Sequence, residues 1–468
     1  MDVVASAGLI DWEHLTGQSK FVIDLISVPI FSAIAGLITN WTGVIMLFSP
    51  ARFTGFHVPG LQRLFPLLPR KVQILPIFAP GGVLGFQGFV PCRAEKMASL
   101  FVDTSISQIG SISDFYAELD IDQLADGLAV AAQPDVRRVA AEVVEARHPQ
   151  LWRSLPEPMR QKALADIEQE LPAISRNAFH KIGEHIDQLL DIKLMAVSYM
   201  RREPEVLKEI LMGMAAPELR FMVRVGALGF VFGIPLALYL SLMHYTGPEA
   251  IARGGTVIPM PEWAVSVLHF VPAWFTVLAG AALIGVLVNI IAVKVVFEPG
   301  EPQPRYKYLW KQSKVARRQH EAAADLAHQM AQRVLTVENF AHELLHGASA
   351  DKTRYLIEQN VGEEADRVLG PIMTLARKSF GLVDVVGMER RVAAEILDFA
   401  PALYEPELTQ AQAKRIEEFS TEKLRQVPPA KFGEMLYAAV EQDAWLLYVH
   451  GGALGVLVGA AHILMFGA

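Results

Sequence analysis

At 468 residues the chain is long enough for about three soluble domains, yet its mean hydropathy is +0.29 and 52% of its residues are hydrophobic, so part of it expects lipid. Charged residues still make up 20%, which excludes a protein lying wholly in a bilayer and leaves a few crossing helices with large water-facing regions. A net charge of −8 excludes a basic nucleic-acid-binding face, and the single Cys92 excludes an internal disulfide or a cysteine-rich metal site.

In chain order, residues 1–20 are mildly acidic and lack the basic start and cleavage site of a secretory signal, so they are expected to lie outside the cell ahead of an uncleaved anchor. Residues 21–48 form the first predicted crossing; Asp24 is its only charge and is expected at the interface, and Asn40 is the amide in its middle. Arg52, Arg63, Arg70 and Lys71 follow with no acid among them, a pattern that marks a cytoplasmic juncture. Residues 72–92 are uncharged but rich in proline and glycine, and are expected to lie at the interface or re-enter the membrane.

The rest of 51–220 places apolar residues three and four apart, as in LADGLAVAA and VRRVAAEVVEA, and predicts a cytoplasmic helical domain. A second crossing is predicted at 225–245, an outer loop at 246–262, and a third crossing at 263–297, with Pro272 separating an interfacial lead from the membrane helix. Arg305, Lys307, Lys311, Lys314, Arg317 and Arg318 then stand against Glu301 alone, again pointing inward. A second cytoplasmic helical domain at 300–442 and a fourth crossing at 445–466 complete the chain. The fold class is therefore an all-α integral membrane protein.

The two halves resemble one another. PIFSAIAGLITNWTGVIMLFSP at 29–50 aligns with LAGAALIGVLVNIIAVKVVFEP at 278–299, which puts Gly36 on Gly285, Asn40 on Asn289, Phe48 on Phe297 and Pro50 on Pro299. SISDFYAEL at 111–119 aligns with TVENFAHEL at 336–344, and GALGFVFG at 226–233 with GALGVLVG at 452–459. Each half reads as crossing, basic juncture, helical domain, crossing. This predicts a tandem parallel repeat with both termini outside, unlike the inverted repeats of many transporters.

The form of Gly36–Pro50, the G-F-V-P-x-R of Gly88–Arg93 and the closing GALG-x-x-x-G resemble the bacterial membrane family catalogued as domain of unknown function 445, the YheB-like group. The resemblance covers nearly the whole chain in two copies; the second departs from it at Val288 and Val296. It implies a multi-pass helical protein of the bacterial inner membrane, and supplies no reaction, cofactor or catalytic residue.

Several residues are candidates for function. Asn40 and Asn289 are intramembrane amides that either line a polar path or cross-link the two repeated helices, and Lys294 either snorkels or meets a substrate. Gly226, Gly229, Gly233, Gly452, Gly455 and Gly459 are spaced for close packing between the two closing crossings. The basic junctures suit anionic lipid as well as topology. His342-Glu343-x-x-His346 has the spacing of a zinc hydrolase, with Glu358, Glu363 or Glu364 as a third ligand, but the matching place in the first half, at Glu118, has neither histidine.

No phosphate loop, nucleophile elbow or dinucleotide fingerprint is present. The expectation is a non-enzymatic protein without a cofactor, which anchors helical domains for lipid, an envelope protein partner or a second copy. A small transporter, channel or lipid-transfer protein is the alternative, and a membrane-anchored zinc hydrolase the third.

Overall fold

A computed structural model describes residues 8–67, 76–79, 82–252, 257–305, 309–380, 406–441 and 444–467. The helices that matter to the sites are, in chain order, α1 (Trp12–Thr16), α2 (Lys20–Phe48), α3 (Ala94–Ile109), α4 (Ile112–Glu118), α5 (Ile121–Ala132), α6 (Val136–Arg147), α7 (Glu157–Glu184), α8 (Ile192–Arg202), α9 (Pro204–Val225) and α10 (Gly229–His244). They continue with α11 (Glu262–Leu268), α12 (Ala273–Phe297), α13 (Gln319–Arg333), α14 (Val337–His346), α15 (Ala350–Phe380), α16 (Pro406–Arg425), α17 (Pro429–Glu441) and α18 (Ala444–Phe466). Among the described residues strands are almost absent. The chain divides into two compact units, one of residues 1–97, 207–322 and 428–468, the other of 98–206 and 323–427.

The first unit holds four helices long and apolar enough to cross a membrane: α2, α9 continued by α10, α12 and α18. At about 1.5 Å per residue, even the 23 residues of α18 reach beyond a hydrocarbon core of about 30 Å. The faces of α2 are sorted as lipid would sort them. Ile26, Ile30, Ile34, Ile38, Trp41 and Ile45 are exposed, whereas Ser32, Gly36, Thr39, Asn40 and Gly43 are buried. A helix in water would present the opposite pattern. Pro29 lies inside α2, which runs through it without a break, while Pro272 is the N-cap residue of α12 and separates it from α11. Exposed Trp263, Phe270, Trp274 and Phe275 collect around that break, where an aromatic belt belongs.

Part of the proline- and glycine-rich segment pairs with the chain just ahead of it in a small antiparallel sheet, which the sequence pattern did not anticipate. β1 (Thr54–His57), β2 (Phe78–Ala79) and β3 (Val83–Phe86) stand in the order β1-β3-β2, with Thr54 opposite Phe86 and Phe78 opposite Leu84. Gly55 and Gly85 face each other at the β1–β3 crossing, where a Cβ on either would strike the other strand's backbone. Residues 72–75, 80 and 81 lie outside the described residues.

The second unit is a helical bundle in which α7 packs along α15 and α5. Four of its helices begin at side-chain caps: Ser111 and Asp114 form a capping box on α4, Asp120 caps α5, Asp191 caps α8 and Thr336 caps α14. One apolar cluster of this bundle gathers Leu151, Trp152, Leu155, Ile167 and Leu369.

Candidate functional site

Two places in the structure gather the features that sequence singled out or passed over. The first is the polar centre of the membrane-crossing helices. Asn40 is 3% exposed and Asn289 5%. Each side-chain amide donates across to the backbone of the helix beside it, Asn40 to the Met222 carbonyl of α9 at 2.6 Å and Asn289 to the Leu447 carbonyl of α18 at 2.7 Å. The expected link between the two asparagine-bearing helices is therefore corrected: each amide ties its own helix to a different neighbour. Each amide N–H that finds a carbonyl avoids the cost of an unmade donor, which in lipid has no water to meet it; Asn40 Oδ1, by contrast, is buried without a hydrogen-bond partner.

Glycines make these contacts possible. A Cβ on Gly36 would strike the Gly226 carbonyl, and one on Gly285 the Gly451 carbonyl. Gly229 meets the Ser32 carbonyl, Gly233 meets Pro29 and Ser32, Gly455 meets the Ala281 carbonyl, and Gly459 meets Ala281 and Val277. So α10 packs on α2, and α18 on α12; the glycines do not join the two closing crossings to each other, as spacing alone suggested. A Cβ on Gly452 would come within 3.2 Å of the Val286 side chain and 3.9 Å of the Ala282 carbonyl, a looser fit, and Gly451 takes the tight place instead.

The two crossings differ by one residue. Three steps separate the contact residues Gly226 and Gly229, and four separate Gly451 and Gly455. A single 3₁₀ turn at Gly226–Leu228 takes up the difference, because three residues complete such a turn where an α-helix needs 3.6.

Polar pairs that the sequence pattern concealed join α2 to α18. The Thr42 hydroxyl donates to the Ile38 carbonyl at 2.7 Å, and its oxygen lies 2.8 Å from His450 Nε2. Ser27 Oγ and His462 Nε2 lie 3.0 Å apart, near the other end of the same contact. Asp24, near the start of α2, is buried within the protein, 3.1 Å from Lys20 Nζ, which also donates to the Phe466 carbonyl at the end of α18 at 2.9 Å. Histidines 12 positions apart on one helix give no recognisable motif, so only the partner serine and threonine reveal them.

Other candidates are more ordinary. Lys294 is exposed on α12. Of the basic junctures, Arg52, Arg63, Arg305, Lys311 and Arg317 are exposed, Lys314 lies over the Phe221 ring at 4.6 Å, and Arg70, Lys71 and Lys307 lie outside the described residues. Arg318 has a structural partner in buried Glu218, at 2.8 Å. His342 and His346 are exposed on α14 with ring centroids 5.0 Å apart. Burial, then the charges of Arg202 and His346, lower the His342 pKa below its ordinary value. Two of the three expected third ligands are engaged elsewhere, since Glu364 accepts from Asn177 and Arg367, and Glu363 from Gln359. Among the described residues no three metal-ligating side chains converge.

The second place was not legible in the sequence. Within the helical bundle, α4, α5, α6, α7, α14 and α15 surround a cavity of about 210 Å³. Its walls are aliphatic and aromatic, and among the described residues no charged side chain lines it. Tyr116 reaches it, but its hydroxyl donates to the Phe179 carbonyl at 2.7 Å, and burial raises its pKa well above 10, so it stays protonated. Thr353 likewise donates to the Ser349 carbonyl. Alanines 132, 140, 178 and 341 line the wall, and their short side chains leave the space.

Comparison with protein-family models, with curated proteins and with solved structures gives no match.

Proposed function

We propose that this chain is a bacterial inner-membrane protein of four crossings whose work is to hold the helical bundle at the cytoplasmic face, as a platform for lipid, a partner protein or a second copy, and not to conduct. The observation that supports this reading is the tight packing around the two asparagines, whose amide N–H groups are both taken by backbone carbonyls, across crossings where glycine backbones touch. A conducting path needs such groups turned toward water.

In this reading the two helix pairs are copies of one unit. Asn40 with Met222 and Asn289 with Leu447, and Gly36 with Gly226 and Gly285 with Gly451, are the contacts that support it. The copies run parallel, with both termini and residues 246–262 outside and both helical segments inside. The motifs at Gly36–Pro50 and Gly88–Arg93 place the chain with the YheB-like family as part of the same proposal.

Two measurements test it. Purified protein in vesicles should release no more trapped potassium or small dye than empty vesicles; conductance that an Asn289→Leu variant abolishes would overturn the platform reading. For topology, Cys92→Ser supplies a cysteine-free background, and exposed Leu15 and Val130 supply reporter positions. An impermeant maleimide should label Leu15→Cys in spheroplasts and reach Val130→Cys only after lysis. The reverse pattern would overturn the orientation.

A further inference from the structure

We infer that the cavity of the helical bundle is a binding site for a single acyl chain, of a phospholipid or of a free fatty acid. The inference deepens the platform reading and rests on it only for the source of the chain, the bilayer in which the protein is held.

Chemistry selects the occupant. Between α7 and α15 the walls are side chains such as Leu128, Val139, Ile174, Leu344 and Ile357, with no charge among the described lining residues. Of the three side-chain hydroxyls that reach the wall, Tyr116 is engaged by the Phe179 carbonyl and Thr353 by the Ser349 carbonyl, which leaves the Ser175 hydroxyl as the one polar group among otherwise apolar side chains. A ligand that carried donors or acceptors inside would lose its water and gain at most that one partner in return. What fits is matter without hydrogen-bonding groups. At about 210 Å³ the space exceeds the roughly 150 Å³ that admits a benzene molecule in an engineered apolar cavity, so the occupant is larger than one ring. A stretch of alkyl chain meets both requirements. The chain carries four helices fit to cross a membrane, which makes acyl chains the abundant alkyl ligand within its reach.

The histidines of α14 lie outside this site. Val337, Phe340, Ala341, Leu344 and Leu345 give that helix its cavity face, while His342 and His346 are exposed. The helix thus splits into a lining face and a solvent face, and the H-E-x-x-H spacing falls on the second.

The test uses the full chain in vesicles of phosphatidylethanolamine and phosphatidylglycerol, with either a phospholipid carrying a diazirine at the end of one acyl chain or free palmitate bearing the same group. After irradiation, digestion and mass spectrometry should find adducts on cavity-lining peptides of α7 and α15, besides those on the membrane-crossing helices. Ala178→Phe and Ala341→Phe should reduce the cavity adducts at least tenfold and leave the others unchanged. Should either variant fail to fold, unlabelled oleate in excess should suppress the cavity adducts of the unaltered protein in the same selective way. Capture from the phospholipid alone, the fatty acid alone or both supports the site and names its source.

Adducts confined to the membrane-crossing helices would overturn the acyl-chain site while leaving the platform reading intact. Cavity adducts indifferent to both the fillings and the competitor would overturn it too. So would a photoreactive residue at Leu128 that captures residues 381–405 of the same chain in place of lipid.

Discussion

At the scale of single residues, the glycine and asparagine contacts make opposite demands. Gly226 has no room for a side chain, since its Cβ would strike the Gly36 carbonyl; Gly226→Val must part the two helices or unwind one. The expected loss is about 2–4 kcal/mol, read as a lower midpoint in thermal or denaturant unfolding in detergent. Asn289→Leu removes one interhelical hydrogen bond and should cost about 0.6–2 kcal/mol. By contrast, a Cβ at Gly370 of α15 or Gly433 of α17 meets nothing within 4 Å. There Gly→Ala should stabilise by about 0.5–1 kcal/mol, through helix propensity alone. If Gly226→Val were as mild as those two, the backbone contact would be wrong. The sequence marked Gly226 and Asn289 but could not say which helix each faces, because spacing along one helix carries no information about its partner. The same limit misplaced the second tight crossing at Gly452, one residue from Gly451.

At the scale of elements, the membrane-crossing helices were legible because lipid demands long apolar runs, and sequence counts those directly. The start of α4 was legible less directly: Ser111 followed three residues later by Asp114 is a capping pattern. The Ser111 backbone N–H donates to Asp114 Oδ2 at 2.7 Å and its hydroxyl to the same oxygen at 2.8 Å. These bonds hold the Asp114 carboxyl below the usual carboxylate range, the backbone one foremost. A carboxylate with a lower pKa when folded than unfolded stabilises the fold above its unfolded pKa, about 3.9. That contribution disappears as pH falls through the lower, folded value. Between pH 5 and 2, therefore, the unfolding midpoint of Asp114→Asn should decline less than that of the unaltered chain; equal declines would remove Asp114 from the acid response. The small sheet escaped notice for a physical reason. Its strands are two to four residues long, too short for alternation to register, and glycine and proline between them read as breakers. The cavity escaped for another: alanines in amphipathic helices look like ordinary helix formers, and only their meeting across helices creates a space.

At the scale of the whole molecule, the membrane-crossing unit is assembled from distant parts of the chain, α2 with α9 and α10 from the first half and α12 with α18 from the second. Within each half, backbone contact through glycine gives a tight pair. Between halves, α2 meets α18 through Thr42 with His450 and Ser27 with His462, and Lys20 caps the last turn of α18 at Phe466. Leu9 and Trp12 add to the same seam, with the Leu9 N–H donating to the Leu464 carbonyl at 2.8 Å and Trp12 Nε1 to the Met465 carbonyl at 3.0 Å. Membrane helices form individually and then associate through packing and polar contacts, so the covalent link between halves should be dispensable. Two chains separated in the loop between Ala252 and Glu262, expressed together, should insert and copurify through a tag on one of them. His450→Leu combined with Ser27→Ala and Lys20→Met should lower the recovered partner severalfold, whereas Gly226→Val should unsettle the first half even when it is expressed alone. Copurification unaffected by the triple substitution would assign the seam to apolar packing only. No copurification at all would mean that the loop, and not the α2–α18 contact, holds the halves together.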